Sequence, residues 1–273
     1  MGNNISSAEN GKLYVQEWLV QNPKAWLILV HGLGEHIGRY QHVAEYFNEQ
    51  QYSVIGYDHI GHGRSEGKRG VVMKYDTLLD DLNSIVELTK LKANQIPVFI
   101  YAHSLGGNIA LNYLLKRKPK IAGMITSGAA IKLSFEPNPF VVALGKITRS
   151  IYPSFSQNNQ LDVNHISRNK AVVEAYKKDN LVHDKIGAEL GISILETCKW
   201  LQNYKGASPI PLLLMHGGDD KLTHPSGTEA FSKQISGDVT LKIWHRLYHE
   251  LHNEPEQNEV LDYVMMWMKE RVG

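Results

Sequence analysis

Four short and almost wholly apolar runs constrain the fold of this chain more than any other feature. They are WLILVH (26–31), SVIGYD (53–58), PVFIYA (97–102) and PIPLLLMHG (209–217). Runs of this kind are typical of strands in parallel sheets, because helices cover both faces of such sheets. Apolar residues recur at helical spacing at 40–50 and from Tyr75 to about Asn94, so strands and helices alternate along the chain.

Weaker patterns extend this alternation. LYVQEWLV (13–20), IAGMITSG (121–128) and VTLKIW (239–244) predict further strands, and the stretches 108–118 and 258–272 predict further helices. The fold class is therefore predicted as α/β, with a mostly parallel central sheet flanked by helices.

The alternation stops between about Ala130 and Lys205. This interval contains amphipathic stretches such as 139–152 and 170–182, separated by polar loops, and no regularly spaced apolar strands. We interpret it as a helical lid, or cap, inserted at 130–205 into a core formed by residues 1–129 and 206–273.

Composition excludes several classes of protein. The chain has 273 residues, with 29 basic and 28 acidic side chains in no basic stripe, so nucleic acid is not expected as a partner. The single cysteine, Cys198, excludes an internal disulfide and a metal site with several thiolates. No run of about 18 apolar residues predicts a membrane-spanning helix.

The first residues are polar and carry no secretory signal. Met1–Ser6 fits the M-G-x-x-x-[ST] pattern of N-myristoylation, but we interpret this stretch as a disordered polar tail.

The sequence AHSLGG (102–107) lies between a predicted strand and a predicted helix. A serine on such a turn is held clear of the backbone, where it can act as a nucleophile, and small neighbours are needed because strand and helix crowd there. Gly106 and Gly107 meet this need, and Ala102 adds one methyl group where glycine is commoner. The alternative is that Ser104 caps the following helix.

Candidate partners for Ser104 follow in the order serine, acid, histidine that is typical of this architecture. Asp219 and Asp220 follow the strand of PIPLLLMHG, at an edge where open α/β sheets bind ligands. Three histidines follow the last strand, namely His245, His249 and His252. A histidine would act as general base and acid, and an aspartate would orient it.

The glycine-rich turn HGLG (31–34) follows the first buried strand. Such a turn can direct the N–H of Leu33 at the same oxyanion as the N–H of Leu105, which begins the helix after Ser104. Losing one donor of this type costs on the order of 10²–10³ in rate. A plain glycine turn is the alternative.

Taken together, these motifs resemble those of monoacylglycerol lipases and lysophospholipases of the α/β-hydrolase superfamily, over nearly the whole chain. The similarity lies in HGLGEHIGRY (31–40), YDHIGHGRSEGKRG (57–70), AHSLGG (102–107), ISRNKAVVEAYKKDNLV (166–182), HGGDDKL (216–222) and YHELHNE (248–254). It implies an α/β-hydrolase fold with a helical lid.

The resemblance also implies roles for individual residues. It selects Asp220 as the catalytic acid, His249 as the base, and the amides of Leu33 and Leu105 as the oxyanion hole. It further implies that Glu35, Arg39 and His252 bind the glycerol end of the substrate. Glu35 and Arg39 have an alternative role, as a structural ion pair that fixes the oxyanion loop.

The chain departs from the family pattern at three positions. Ala102 replaces a commoner glycine, and Asn180 stands where proline is usual. Thr223 occupies a position at which mammalian relatives often carry a reactive cysteine, so thiol-directed inhibitors are expected to act differently on this chain.

The resulting prediction is a serine hydrolase that cleaves monoacylglycerols to glycerol and fatty acid through an acyl-enzyme, with no metal or organic cofactor. A lysophospholipase, a general carboxylesterase and a non-catalytic ligand-binding module on a hydrolase fold are the alternatives. We expect a monomer or a weak homodimer in the cytoplasm. Apolar lid residues would line an acyl channel, contact a membrane surface peripherally or pack on the core; they are Phe140, Val141, Val142, Leu144, Ile147 and Ile151.

Overall fold

The structure, a computed structural model, describes residues 2–9 and 11–272. In these ranges the strands are β1 (Gly2–Ser6), β2 (Lys12–Trp18), β3 (Ala25–Val30), β4 (Tyr52–Tyr57), β5 (Val98–His103), β6 (Gly123–Ser127), β7 (Ser156–Asn158), β8 (Lys185–Gly187), β9 (Gly206–Ala207), β10 (Leu212–Gly217), β11 (Ile235–Ser236) and β12 (Val239–Trp244). The α-helices are α1 (Gln41–Glu49), α2 (Tyr75–Ala93), α3 (Leu105–Arg117), α4 (Pro139–Ile151), α5 (Lys170–Lys178), α6 (Ala188–Gln202), α7 (Pro225–Gln234) and α8 (Gln257–Lys269).

Eight of these strands form one sheet in the order β1-β2-β4-β3-β5-β6-β10-β12. All neighbours from β4 to β12 pair in parallel, whereas β2 pairs antiparallel with both β1 and β4. The carboxyl ends of β3, β5, β10 and β12 therefore lie at the same edge of the sheet.

Two hydrophobic clusters cover the two faces of this sheet. In β3, Trp26 and Ile28 point into the cluster that contains α2, α3 and α6, whereas Leu27 and Leu29 point into the cluster that contains α1 and α8. Successive side chains of a strand point to opposite faces, so burial on both faces explains why the predicted strands are continuous apolar runs.

The prediction of a disordered N-terminal tail is wrong for Gly2–Ser6. These residues form β1, with Gly2 opposite Gln16 and Ser6 opposite Lys12. The end of the strand is fixed by Asp81, whose carboxylate accepts hydrogen bonds from the Ser7 hydroxyl (2.9 Å) and the Ala8 N–H (2.7 Å). Backbone pairing at the sheet edge stabilises this polar stretch without an apolar pattern. Met1, where the myristoylation pattern begins, lies outside the described residues.

The segment between β6 and β10 contains α4 and α5, which its amphipathic patterns predict. It also contains α6, which no pattern predicted, and the two polar strands β7 and β8, which pair antiparallel. Helix α6 packs against α3, and its Leu190, Ile194 and Cys198 belong to the cluster that covers the sheet. The interpretation of 130–205 as a lid stays a prediction. In the part of the chain that is described, no helix is long and apolar enough to cross a membrane.

Candidate active site

The turn between β5 and α3 holds Ser104 in a conformation that is unusual for a residue with a side chain. Its φ is 53° and its ψ is −115°, and backbone strain of this kind clusters at functional sites. The backbone is held by hydrogen bonds from the Ser104 N–H to the Ser127 carbonyl and from the Asn108 N–H to the Ser104 carbonyl, both 3.0 Å long. The Ser104 side chain caps no N–H of α3, so the helix-cap interpretation is wrong.

Close packing behind the turn explains its small residues. A Cβ on Gly106 would lie 2.4 Å from the carbonyl oxygen of Val30 and 2.5 Å from that of His31. Helix α3 therefore begins in direct contact with the end of β3, which carries the HGLG turn. Ala102 is fully buried in β5 between β3 and β6, and its methyl group is accommodated there.

Of the two candidate acids and the three candidate bases, the structure brings Asp220 and His249 to Ser104. Asp219 and His245 are exposed. The His249 Nε2 atom is 2.8 Å from the Ser104 Oγ atom, and its Nδ1 atom is 2.7 Å from Oδ2 of Asp220. Ser104, His249 and Asp220 thus form a continuous hydrogen-bonded chain at the carboxyl edge of the sheet.

The electrostatics of this chain favour charged Asp220. Burial raises the pKa of Asp220, but the facing His249 and hydrogen bonds from His216 and His249 outweigh this effect and hold the pKa well below its ordinary value. Burial lowers the pKa of His249, but the Asp220 charge and its hydrogen bond dominate, so the pKa is raised. Asp220 can therefore orient His249 and stabilise its protonated form.

Two backbone N–H groups near Ser104 are candidates for an oxyanion hole: that of Leu33, in the loop after β3, and that of Leu105, the first residue of α3. Neither the N–H of Leu33 nor that of Leu105 donates a hydrogen bond to any group in residues 2–9 and 11–272. The loop of Leu33 is fixed by the Gly32 N–H, which donates to Oε1 of Glu35 (2.6 Å), and by the Gly34 carbonyl, which accepts from the His183 N–H (2.8 Å). The role of the two amides as an oxyanion hole stays a prediction.

The residues that resemble the family's glycerol-binding set are buried. Glu35 accepts from Arg39, and Arg39 also donates two hydrogen bonds of 2.7 and 2.6 Å to the Glu250 carboxylate. This geometry matches the alternative role of Glu35 and Arg39, an ion pair that fixes the oxyanion loop. The ring of His252 stacks on Tyr40, with 4.6 Å between ring centroids, and is fully buried. Contact of these residues with substrate stays a prediction.

The sequence analysis missed two side chains that bind Asp220. The His216 Nε2 atom is 3.1 Å from Oδ2 of Asp220, and the Thr223 Oγ1 atom is 2.9 Å from the same oxygen. Both residues lie in the motif HGGDDKLT (216–223). The motif predicted the acid, but nothing in it showed that its first and last residues bind that acid. Within the described ranges, no group of three His, Cys, Asp or Glu side chains is arranged to hold a metal ion.

Comparison with known proteins places the chain in a family. The family model described as serine aminopeptidase, S33, matches residues 21–256. The chain belongs to this family of hydrolases. This membership confirms the predicted α/β-hydrolase fold class and the predicted superfamily.

Two monoacylglycerol lipases are similar to this chain over most of their length. The chain is 34% identical over 249 residues to the monoacylglycerol lipase of Mycolicibacterium smegmatis, covering 90% of this chain and 89% of that protein. The crystal structure of the Paleococcus ferrophilus monoacylglycerol lipase superimposes with a TM-score of 0.83 at 33% identity, over 93% of this chain and 97% of the other.

A third relative is much longer than this chain. An uncharacterised abhydrolase domain-containing protein of Dictyostelium discoideum is 36% identical over 273 residues, which are 98% of this chain but 29% of that protein. The family's hydrolase unit therefore also occurs as a minor part of a larger polypeptide.

Proposed function

We propose that the protein is a serine hydrolase that cleaves the ester bond of monoacylglycerols. The observation that carries this proposal is the chain of hydrogen bonds from Ser104 through His249 to Asp220, beside two free backbone N–H groups. The monoacylglycerol lipases of M. smegmatis and P. ferrophilus, each at least 33% identical to this chain, support the substrate class.

The geometry supports a two-step mechanism. His249 Nε2 takes the hydroxyl proton of Ser104 as Oγ attacks the ester carbonyl, and the N–H groups of Leu33 and Leu105 bind the resulting oxyanion. Protonated His249, stabilised by Asp220, then gives its proton to the glycerol oxygen, which leaves. Water hydrolyses the acyl-enzyme by the same route, with His249 again acting as base.

The segment between β6 and β10 exposes apolar side chains of α4 that an acyl chain or a membrane could contact. In α4, Phe140 is 77% and Ile151 is 79% exposed, and none of its residues is buried. Five of its six apolar residues named above are exposed, so they do not pack on the core, whereas Val142 is half-buried; the exposed five are Phe140, Val141, Leu144, Ile147 and Ile151. We assign this face of α4 to a lipid surface, with α4 and α5 acting as a lid, because an exposed amphipathic helix can lie in a lipid interface.

The decisive experiment measures fatty acid release from 1- and 2-monoacylglycerol by the purified protein and by Ser104→Ala. We expect Ser104→Ala to lose at least about 10⁴-fold in kcat. Ser84→Ala, which changes an exposed serine of α2, is the matched control and should retain full activity. A Ser104→Ala variant as active as this control would disprove the proposal.

A substrate panel separates the alternatives. Lysophosphatidylcholine tests the lysophospholipase, and p-nitrophenyl esters of increasing chain length test the general carboxylesterase. Labelling of Ser104 by a fluorophosphonate, identified by mass spectrometry, tests the non-catalytic binding module. A protein that is not labelled and hydrolyses none of these esters would support that module.

A further inference from the structure

The carboxylate of Asp220 is bound by more donors than a catalytic dyad requires. Oδ1 accepts hydrogen bonds from the backbone N–H groups of Leu222 (2.8 Å) and Thr223 (3.0 Å). Oδ2 contacts three groups, namely the His249 ring, the Thr223 hydroxyl and the His216 ring. Asp220 is 4% exposed, so these protein groups replace water around its charge.

The hydrogen bonds of His216 determine which of its nitrogens carries the proton. Its Nε2 atom is 3.1 Å from Oδ2 of Asp220 and 3.1 Å from the carbonyl oxygen of Thr223. Both oxygens are acceptors, so the ring proton belongs on Nε2. The Nδ1 atom, 2.7 Å from Oγ1 of Thr228, then accepts the Thr228 hydroxyl proton. His216 is fully buried and is thus fixed as a donor to Asp220.

Thr223 connects the loop of Asp220 to the loop that follows β6. Its Oγ1 atom is 2.9 Å from Oδ2 of Asp220 and 3.0 Å from the Gly128 carbonyl oxygen. Gly128 has a φ of 56° and lies so close to His249 that an added Cβ would be 3.2 Å from Nδ1. A single hydroxyl therefore contacts both the acid and the backbone that packs on the base.

We propose that His216 and Thr223 are positioning residues for Asp220, which direct its Oδ2 atom at His249 and disperse its negative charge. The inference rests on the proposed function, since it assigns supporting roles to two residues around the same triad. Neither side chain contacts Ser104 or the free N–H groups, so both act only through Asp220 and His249.

Removing a donor from Asp220 concentrates charge on Oδ2. A carboxylate with fewer hydrogen bonds attracts a proton more strongly, so the protonated form of His249 is stabilised further. The pKa of His249 therefore rises, and the acid limb of kcat/KM moves to higher pH, because His249 must be neutral to accept the Ser104 proton. The looser Asp220 also orients His249 less well, which lowers kcat and leaves KM unchanged.

Other titratable groups also face His249, and none of them is substituted in the variants. The His103 ring lies 4.6 Å from that of His249, and burial and the His249 charge lower the pKa of His103 to about 3, so it is neutral. Burial likewise lowers the pKa of His252. Glu35 and Glu250 raise the pKa of His249, and both are paired with Arg39.

The test compares two matched pairs of variants in the full chain. Thr223→Val removes the hydroxyl at nearly constant volume, and Thr223→Ser keeps it. His216→Met removes the ring donor, and His216→Gln can place an amide N–H near the position of Nε2. Two readouts are used: the pH profile of kcat and KM on p-nitrophenyl butyrate, and titration of the His249 imidazole by ¹⁵N NMR.

We expect Thr223→Val and His216→Met each to lose about tenfold to 100-fold in kcat. Each should raise the pKa of His249 by about half a pH unit or more, at unchanged KM. Thr223→Ser should stay within about twofold of the unchanged protein, and His216→Gln should recover most of the loss.

Two results would overturn the inference. One is an unchanged pKa of His249 in both Thr223→Val and His216→Met. The other is a loss of kcat that Thr223→Ser and His216→Gln share equally, which would indicate a general packing effect. The NMR titration needs no turnover, so it decides this inference even if the protein hydrolyses no ester and the proposed function fails.

Discussion

Helices α3 and α4 are each 13 residues long and each contain seven apolar residues, yet they are placed in opposite ways. Eleven residues of α3 are buried, from Leu105 to Leu115, and none of α4 is buried. Helix α3 starts at Ser104 and lies on the sheet beneath the site, whereas α4 lies against α6 at the outside of the molecule. Apolar content alone therefore does not determine burial; the neighbours of the helix do.

This difference assigns separate roles to the two helices: α3 stabilises the fold, and α4 is proposed to contact lipid. The apolar residues of α3 stabilise the fold and hold the Ser104 turn, so their surface is never available to a ligand. Those of α4 contribute little to the fold and remain available to a lipid. Three predictions test this division, in order of decreasing effect.

The largest expected effect is on the free energy of unfolding when an apolar side chain is shortened. Leu111→Ala in α3 should lower it by about 2–5 kcal/mol, because Leu111 is fully buried and a cavity remains. Ile147→Ala in α4 should change it by less than about 0.5 kcal/mol, because Ile147 is 56% exposed. Urea denaturation measures both free energies of unfolding. Similar decreases in the two variants would contradict the difference between α3 and α4.

A second pair of variants adds a methyl group to a glycine of each helix. Gly106→Ala should cost about 3 kcal/mol, since the new Cβ would meet the carbonyls of Val30 and His31 at 2.4 and 2.5 Å. Gly145→Ala in α4 meets only the end of the flexible Ile192 side chain, at 3.0 Å, and should stay within about 1 kcal/mol of the parent. Thermal denaturation tests the pair, and an unaffected Gly106→Ala would show that the helix start can shift.

The smallest effect concerns binding to phosphatidylcholine vesicles in a flotation assay. Phe140→Ser and Ile147→Ser should each weaken binding about tenfold, because an apolar side chain no longer enters the interface. Leu91→Ser is the control, since Leu91 is 81% exposed on α2 and far from α4 in the chain. If Leu91→Ser weakens binding as much, the assignment of α4 to a lipid surface is wrong.

Most strands and helices of the core could be predicted because each has its own local pattern, whereas α7 was not predicted. The run at β3 predicted a strand buried on both faces, and both faces are buried. Strand β1 was missed because GNNIS carries no such pattern and is stabilised by pairing with β2 and by Asp81. Helix α6 was missed because it packs against both α3 and α4, which obscures a single apolar stripe.

The candidate site divides in the same way. Ser104 and the candidate acids and histidines could be predicted because each occupies a motif after a strand, in a fixed order, and the family resemblance selected Asp220 and His249 among them. The binding of Glu250 to Arg39 could not, since 211 residues separate them and only the fold brings their loops together. The same holds for Thr223 and the Gly128 carbonyl, 95 residues apart.

The sequence thus determined the order of the strands along the chain, the type of fold, and Ser104 with a short set of candidate acids and histidines, because local patterns and motifs encode them. The tertiary structure decided which acid and which histidine meet Ser104, that Glu35 pairs with Arg39, and that the apolar face of α4 stays exposed. The choice of acid and histidine depends on contacts between loops far apart in the chain. The Glu35–Arg39 pair depends on its burial, and the exposure of α4 depends on which helices lie beside it.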